Sequence, residues 1–221
     1  MEPSASELIE AVQRGDADAV RAMLAADPDL ANTRKDGQSL LLSARYRNDI
    51  AMTEALRSTG RALDIFEAAA FDDADRLREL LAADPALAMA WSPDGFTALH
   101  LAAFFGGVDG ARRLVDAGAD LDVYSRNDFH VAPLHSAAAG REAVARLLVQ
   151  RGAQLNVAQR HGWTPLHSAT NNGYAALVDQ MLAAGADANA TNDDGVTALD
   201  LACKGGHQAI VERLEKEAAG A

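Results

Sequence analysis

The stretch GWTPLHSATNNGYAALVDQMLAAGAD, residues Gly162–Asp187, encodes two helices with their starts and stops. Thr164 is of the residue type whose side-chain oxygen accepts from the free N–H groups of a helix's first turn. Pro165 follows at the first helical position, where a missing N–H costs little. The Leu and Ala residues after it make a small-residue helix face, and Gly173 fits the helix end. A second helix carries the apolar pair Met181-Leu182, and Gly185 fits its C-terminal turn.

The same arrangement recurs along the chain. GFTALHLAA from Gly95, HVAPLHSAA from His130 and GVTALDLAC from Gly195 align with GWTPLHSAT. Their shared leucines, Leu99, Leu134, Leu166 and Leu199, are spaced by 35, 32 and 33 residues. AGAD before Leu121, RGAQ before Leu155 and AGAD before Ala188 mark the ends of second helices. Further upstream, IEAVQRGDADAVRAMLAADPDLA from Ile9 parallels FEAAAFDDADRLRELLAADPALA from Phe66. There Asp27-Pro28 and Asp84-Pro85 replace the Gly-Ala turn, and DGQSLLLSA from Asp36 opens another pair. One such unit cannot bury its apolar face alone; stacking completes a continuous core.

Period, Thr-Pro-Leu-His-x-Ala core and Gly-Ala-Asp turn together resemble the ankyrin-repeat family. Thr164-Pro165-Leu166-His167 is the full match; Thr97-Ala98-Leu99-His100 and Ala132-Pro133-Leu134-His135 each miss one residue. The resemblance implies an all-α solenoid of about seven stacked helix pairs joined by hairpin fingers, and a protein-interaction module rather than an enzyme. The pairs are expected near 8–26, 39–59, 65–83, 98–117, 133–151, 165–184 and 198–217. They form a single solenoid over 1–221. Segment 1–36 is the N-terminal cap and 37–62 an atypical repeat; 63–94, 95–129, 130–161 and 162–194 are repeats, and 195–221 is the C-terminal cap. Charged residues such as Glu2, Glu7 and Glu10 at one end and Glu212, Glu215, Lys216 and Glu217 at the other suit open ends of a stack. Gly60 lies only six residues before Phe66, so one finger is expected to be missing near residues 60–65. The loop from Val123 to Val131 reads two residues longer than its counterparts, and its helix pair one residue shorter between helices.

A formal net charge of −12 argues against a nucleic-acid backbone as partner, which needs clustered Lys and Arg. No apolar run approaches the roughly 20 residues of a membrane span, and MEPSASELIE lacks a signal-sequence pattern. With Cys203 as the single cysteine, a reducing compartment fits, and the chain is expected to be cytoplasmic. Asn189-Ala190-Thr191 matches a glycosylation acceptor, which matters only in a secreted protein.

Chemistry is sparse. His100, His135 and His167, one per repeat, invite a metal ladder. They occupy the family's structural His slot, which Phe66 and Asp200 fill in neighbouring repeats, and no ligand grouping accompanies them. Cys203 takes an Ala-like place and is expected to be a small buried thiol. Asp72, Asp73 and Asp75 read as a solvated turn and helix start. Asp193-Asp194-Gly195 lacks the spaced ligands of a calcium loop. No cofactor is implied.

The eleven aromatic residues are more informative. Tyr46, Phe71, Phe104 and Phe105 lie near the ends of first helices; Trp91, Phe96, Tyr124, Phe129 and Trp163 lie in or beside fingers. The family's inner surface is built from those elements. Phe96 and Trp163 can brace their own hairpins, but the set as a whole suits an interface. Trp91, Phe96, Phe104, Phe105, Tyr124, Phe129 and Trp163 are therefore expected to line one groove, with Phe105 the central anchor. Arg126, Arg160, Asn171 and Asn172 are candidate polar contacts. The expected partner is a protein or peptide with apolar side chains. A homodimer closed through the same patch is the structural alternative, and a small-ligand binder or cryptic enzyme a further one.

Overall fold

Six of the seven helix pairs open on a capping side chain, and only the pair that follows Ala132 has none among the described residues. In the computed structural model, which describes residues 3–220, Thr97, Thr164 and Thr197 accept from the backbone N–H three residues on. Ser4 and Asp64 do the same, with Glu7 and Glu67 returning the bond. Fourteen α-helices result among the described residues. The first helices of the pairs are α1 (Ala5–Arg14), α3 (Leu40–Tyr46), α5 (Ile65–Ala70), α7 (Ala98–Phe105), α9 (Pro133–Ala138), α11 (Pro165–Asn171) and α13 (Ala198–Gly205). The second helices are α2 (Ala17–Ala26), α4 (Ile50–Arg57), α6 (Ala74–Ala83), α8 (Val108–Asp116), α10 (Glu142–Gln150), α12 (Ala175–Ala183) and α14 (Gln208–Gly220). Glu2, read as part of the polar end, lies outside the described residues. The first helix starts three residues earlier than the periodicity suggested, because Ser4 and Glu7 form a capping box.

The stack is held by leucine and alanine. Leu99, Leu134, Leu166 and Leu177 are buried, and Ala68, Ala69, Ala102, Ala103, Ala137, Ala138 and Ala169 let first helices approach closely. At Asp27-Pro28 and Asp84-Pro85 a short 3₁₀ turn (Pro28–Asn32, Pro85–Met89) replaces the Gly-Ala turn; each Asp caps it.

The fingers sit on one side. Strands β1 (Arg34–Lys35) and β2 (Gln38–Ser39) make the first, turning through Asp36 and Gly37 at positive φ. Later fingers close through Ser92–Phe96, Ser125–Val131, Gln159–Trp163 and Asn192–Val196 backbone bonds. The Ser125–Val131 loop is two residues longer than the others, and α9 and α10 start nine residues apart where their neighbours start ten apart.

Residues 60–64 form no hairpin and enter α5 directly. The first finger spans this gap: Gln38 Nε2 donates to Asp94 (3.1 Å), and Arg34 pairs with Asp64 (2.6 Å). Beneath it, Arg61 pairs with Glu67, which also accepts from the Ser39 hydroxyl and the Asp64 N–H. Glu67 is 0% exposed. Burial opposes its ionisation, but bonds from Arg61 and Ser39 outweigh that and hold its pKa below the ordinary carboxylate value.

Two sequence readings need correction. Glu67, not Phe66, fills the His slot, because the capping box from Asp64 fixes the register one residue on; Phe66 takes the Leu slot and is half-buried. Cys203 is exposed. Its counterparts Ala103 and Thr170 are buried under the next first helix, whereas no described helix follows α13 on that side.

Candidate partner-binding groove

The motif histidines build the wall between helix and finger. Nδ1 of His100 accepts from the Thr97 N–H (3.2 Å) and lies 2.8 Å from the Thr97 hydroxyl; Nε2 meets the Val131 carbonyl at 2.9 Å. His167 repeats this with Thr164 and Val196, and His135 with the Ala132 N–H and Val157. An imidazole that accepts at one nitrogen and donates at the other is neutral. Burial pushes His100 and His135 down to about 4, against the raising effect of the carbonyl bonds. Each ring thus ties its own helix start to the following finger.

In front of the His100 and His135 rings lies a concave, mainly apolar cavity of about 350 Å³. Its floor is Leu101 and Phe104 of α7 with Ser136 and Ala139 at α9. Phe96, Phe129, Val131 and Gln159 come from fingers, Tyr46 from the end of α3, and Gly140 and Arg141 from the α9–α10 turn. Phe104 is 49% and Phe129 67% exposed. The longer finger explains Phe129. Its extra residues fold over Asn127, whose Oδ1 accepts from the Ser125 hydroxyl (2.9 Å) and the Phe129 N–H (3.2 Å). The Phe129 ring then stacks 6.3 Å from Phe96. Fingers are stitched together: the Arg126 N–H donates to the Gly95 carbonyl (2.8 Å), so close that a Cβ on Gly95 would lie 2.9 Å from the Arg126 carbonyl carbon.

Of the residues expected in the groove, Phe96, Phe104 and Phe129 line this cavity; the others do not. Phe105 is half-buried on the core, 5.3 Å from Tyr46 and 5.0 Å from Phe104, with the Arg45 guanidinium 4.9 Å above it. That packing makes it a brace between repeats instead of an exposed anchor. Trp91 stacks under Arg126 at 3.9 Å and faces His100 at 6.4 Å. Tyr124 stacks on His130 at 4.2 Å, and Trp163 packs on His167 at 5.6 Å. These rings stiffen their fingers. Arg160 is exposed in the 159–163 finger. Asn171 uses its carbonyl towards His207, and Asn172 donates its amide to the Ala138 and Ser168 carbonyls. The lining residues Tyr46 and Arg141 were absent from the expected set. Tyr46 carried a signal, an aromatic at a first-helix end; Arg141 sits in the shortened turn and carried none.

No helix among the described residues is long and apolar enough to cross a membrane. The family model "Ankyrin repeats (3 copies)" matches residues 65–159 and 156–220. A probable E3 ubiquitin-protein ligase of Oryza sativa subsp. japonica is 38% identical over 122 residues, 55% of this chain and 27% of that protein. The transient receptor potential cation channel subfamily A member 1 of Homo sapiens is 36% identical over 93 residues, 41% of this chain and 8% of the channel. The human B-cell lymphoma 3 protein is 39% identical over 94 residues, 40% of this chain and 20% of that protein. The chain thus spans about a quarter or less of the length of these relatives, and what they share with it is the repeat array. Motif, stacked helix pairs, histidine-anchored fingers and family match agree: this chain belongs to the ankyrin-repeat family.

Proposed function

We propose that this chain is a protein-interaction module that binds a partner polypeptide, without catalysis, in the groove between its fingers and first helices. Ankyrin repeats are generally protein-interaction modules, and the observation that carries the finer reading is Phe104 and Phe129. Both are large, exposed apolar rings, one near the end of α7 and one on the 125–131 finger, that line one cavity. Such rings are costly to leave in water, and a contiguous patch of them is what an interface uses. The lone cysteine and acidic balance favour a cytoplasmic protein whose partner is not nucleic acid. In this reading 1–36 and 195–221 act as caps.

Selection of a displayed peptide library on the whole chain, with counter-selection on a Phe104→Ala/Phe129→Ala double variant, tests it. Peptides that bind the parent and not the variant are the expected result. Light scattering across concentration covers the alternative. A dimer that disappears in the double variant would assign the patch to self-association, and peptides indifferent to both rings would remove the groove.

A further inference from the structure

Beside the groove, at the edge formed by Arg141, stands a basic cluster in an otherwise acidic chain. Arg45 from α3, Arg57 from α4 and Arg141 from the α9–α10 turn come together around Phe71, Phe105 and Gly106. The guanidinium of Arg45 lies 5.2 Å from the Phe71 ring centre and 4.9 Å from that of Phe105, and Arg57 sits 4.7 Å from Phe71. Arg141 runs along Gly106, where a Cβ would meet its Cδ at 2.7 Å, and it is one of the residues that line the cavity. Among the described residues, no carboxylate lies within salt-bridging distance of these three, although eight other arginines have one. Burial, then the like charges of Arg141 and Arg57, lower the pKa of Arg45.

The nearby carboxylates are already engaged. Asp94 accepts from Tyr46 (2.9 Å), Gln38 (3.1 Å) and Ser92, and Asp72 accepts from the Gly110 N–H (2.6 Å). Helix capping does not account for the trio either. Arg45 reaches the Ala70 carbonyl only at 3.4 Å, and Arg141 touches just its neighbour's carbonyl, Gly140. Two of the three guanidinium groups lie over aromatic faces, and three like charges left together are relieved most directly by an anion.

We infer that the groove takes an acidic, apolar segment of another protein: a large apolar side chain enters between Phe96, Phe104 and Phe129 while adjacent Asp or Glu carboxylates meet Arg141 and Arg45. This rests on the groove reading above and adds the chemistry of the partner. Apolar area supplies the anchor, and planar guanidinium groups at one end fix the direction in which the segment lies.

The test uses unmodified peptides enriched on the full chain, synthesised and titrated by fluorescence anisotropy at several salt concentrations. Enriched sequences should place Asp or Glu beside a large apolar residue. Arg45→Gln/Arg141→Gln should weaken binding about tenfold or more and flatten its salt dependence. Arg112→Gln, on the exposed side of α8, should leave it unchanged. Because Arg45 also stacks on two rings, the single Arg141→Gln variant, whose side chain is exposed, repeats the measurement in a fold that loses no aromatic packing. Neutral or basic peptides that still require Phe104 and Phe129 would overturn the acidic partner and leave the groove standing. Peptides that ignore both rings would sink the groove as well. Self-association abolished by Phe129→Ala would make a second copy the occupant and overturn this inference.

Discussion

His100, His135 and His167 show how a residue that invites chemistry is consumed by structure. Each ring is buried, bonded at both nitrogens and neutral. Replacing His100 by Ala removes its bonds and leaves the Val131 carbonyl short of a donor, which should cost about 1–3 kcal/mol in urea unfolding. The pH sign follows from the direction of the shift. The folded pKa of His100 and His135, about 4, lies below the unfolded value near 6.5, so the unfolded chain takes up the proton first. Their contribution is complete above about pH 6.5 and is lost as pH falls towards 4, at up to about 1.4 kcal/mol per pH unit for each ring. Urea midpoints across that window should therefore slope steeply in the parent and less in His100→Ala; parallel slopes would deny the neutral-ring assignment. The role of these histidines was legible in the sequence because Thr-Pro-Leu-His is a local motif. The burial of Glu67 was not. Its partners Ser39 and Arg61 come from a neighbouring repeat and an irregular link, and no local pattern brings them together.

At the scale of elements, the missing finger is the informative departure. Counting residues between Gly60 and Phe66 sufficed to expect it, since a hairpin cannot fit. What replaces it depends on three-dimensional packing: β1–β2 leans across to Asp94, and the Arg61–Glu67–Ser39 cluster closes the gap below. Breaking one partner of a buried pair strands the other charge. Glu67→Ala should thus destabilise by about 3–5 kcal/mol, whereas replacing both Arg61 and Glu67 by apolar residues should cost less; calorimetric melting of the two variants separates these outcomes. Helices α3 and α5 also share a smaller face than α5 and α7. Amide exchange should then be faster in α1–α4 than in α7–α12, and equal protection would show that the polar cluster couples the two parts fully. The two extra residues in the 125–131 finger were likewise visible by alignment, but not their effect, which is to carry Phe129 over the cavity.

The whole molecule divides its aromatic residues between two tasks that sequence position alone does not distinguish. Trp91, Tyr124, Trp163 and Phe105 pack on histidines, arginines or the core, while Phe104 and Phe129 keep exposed faces in the groove. Finger and first-helix slots identify the correct surface, but side-chain direction within a slot is set by neighbouring repeats. Phe105→Ala is accordingly expected to lower stability by about 2–4 kcal/mol, as a half-buried ring among packed neighbours should, and to act on binding mainly through the fold. The most direct measurement pairs affinity with melting temperature for the Phe104→Ala/Phe129→Ala protein against a groove-selected peptide. Binding should weaken by about thirtyfold or more while the melting temperature stays within about 4 °C of the parent. Unchanged affinity in a folded variant, or loss of the fold with normal binding by the folded fraction, would contradict the groove reading.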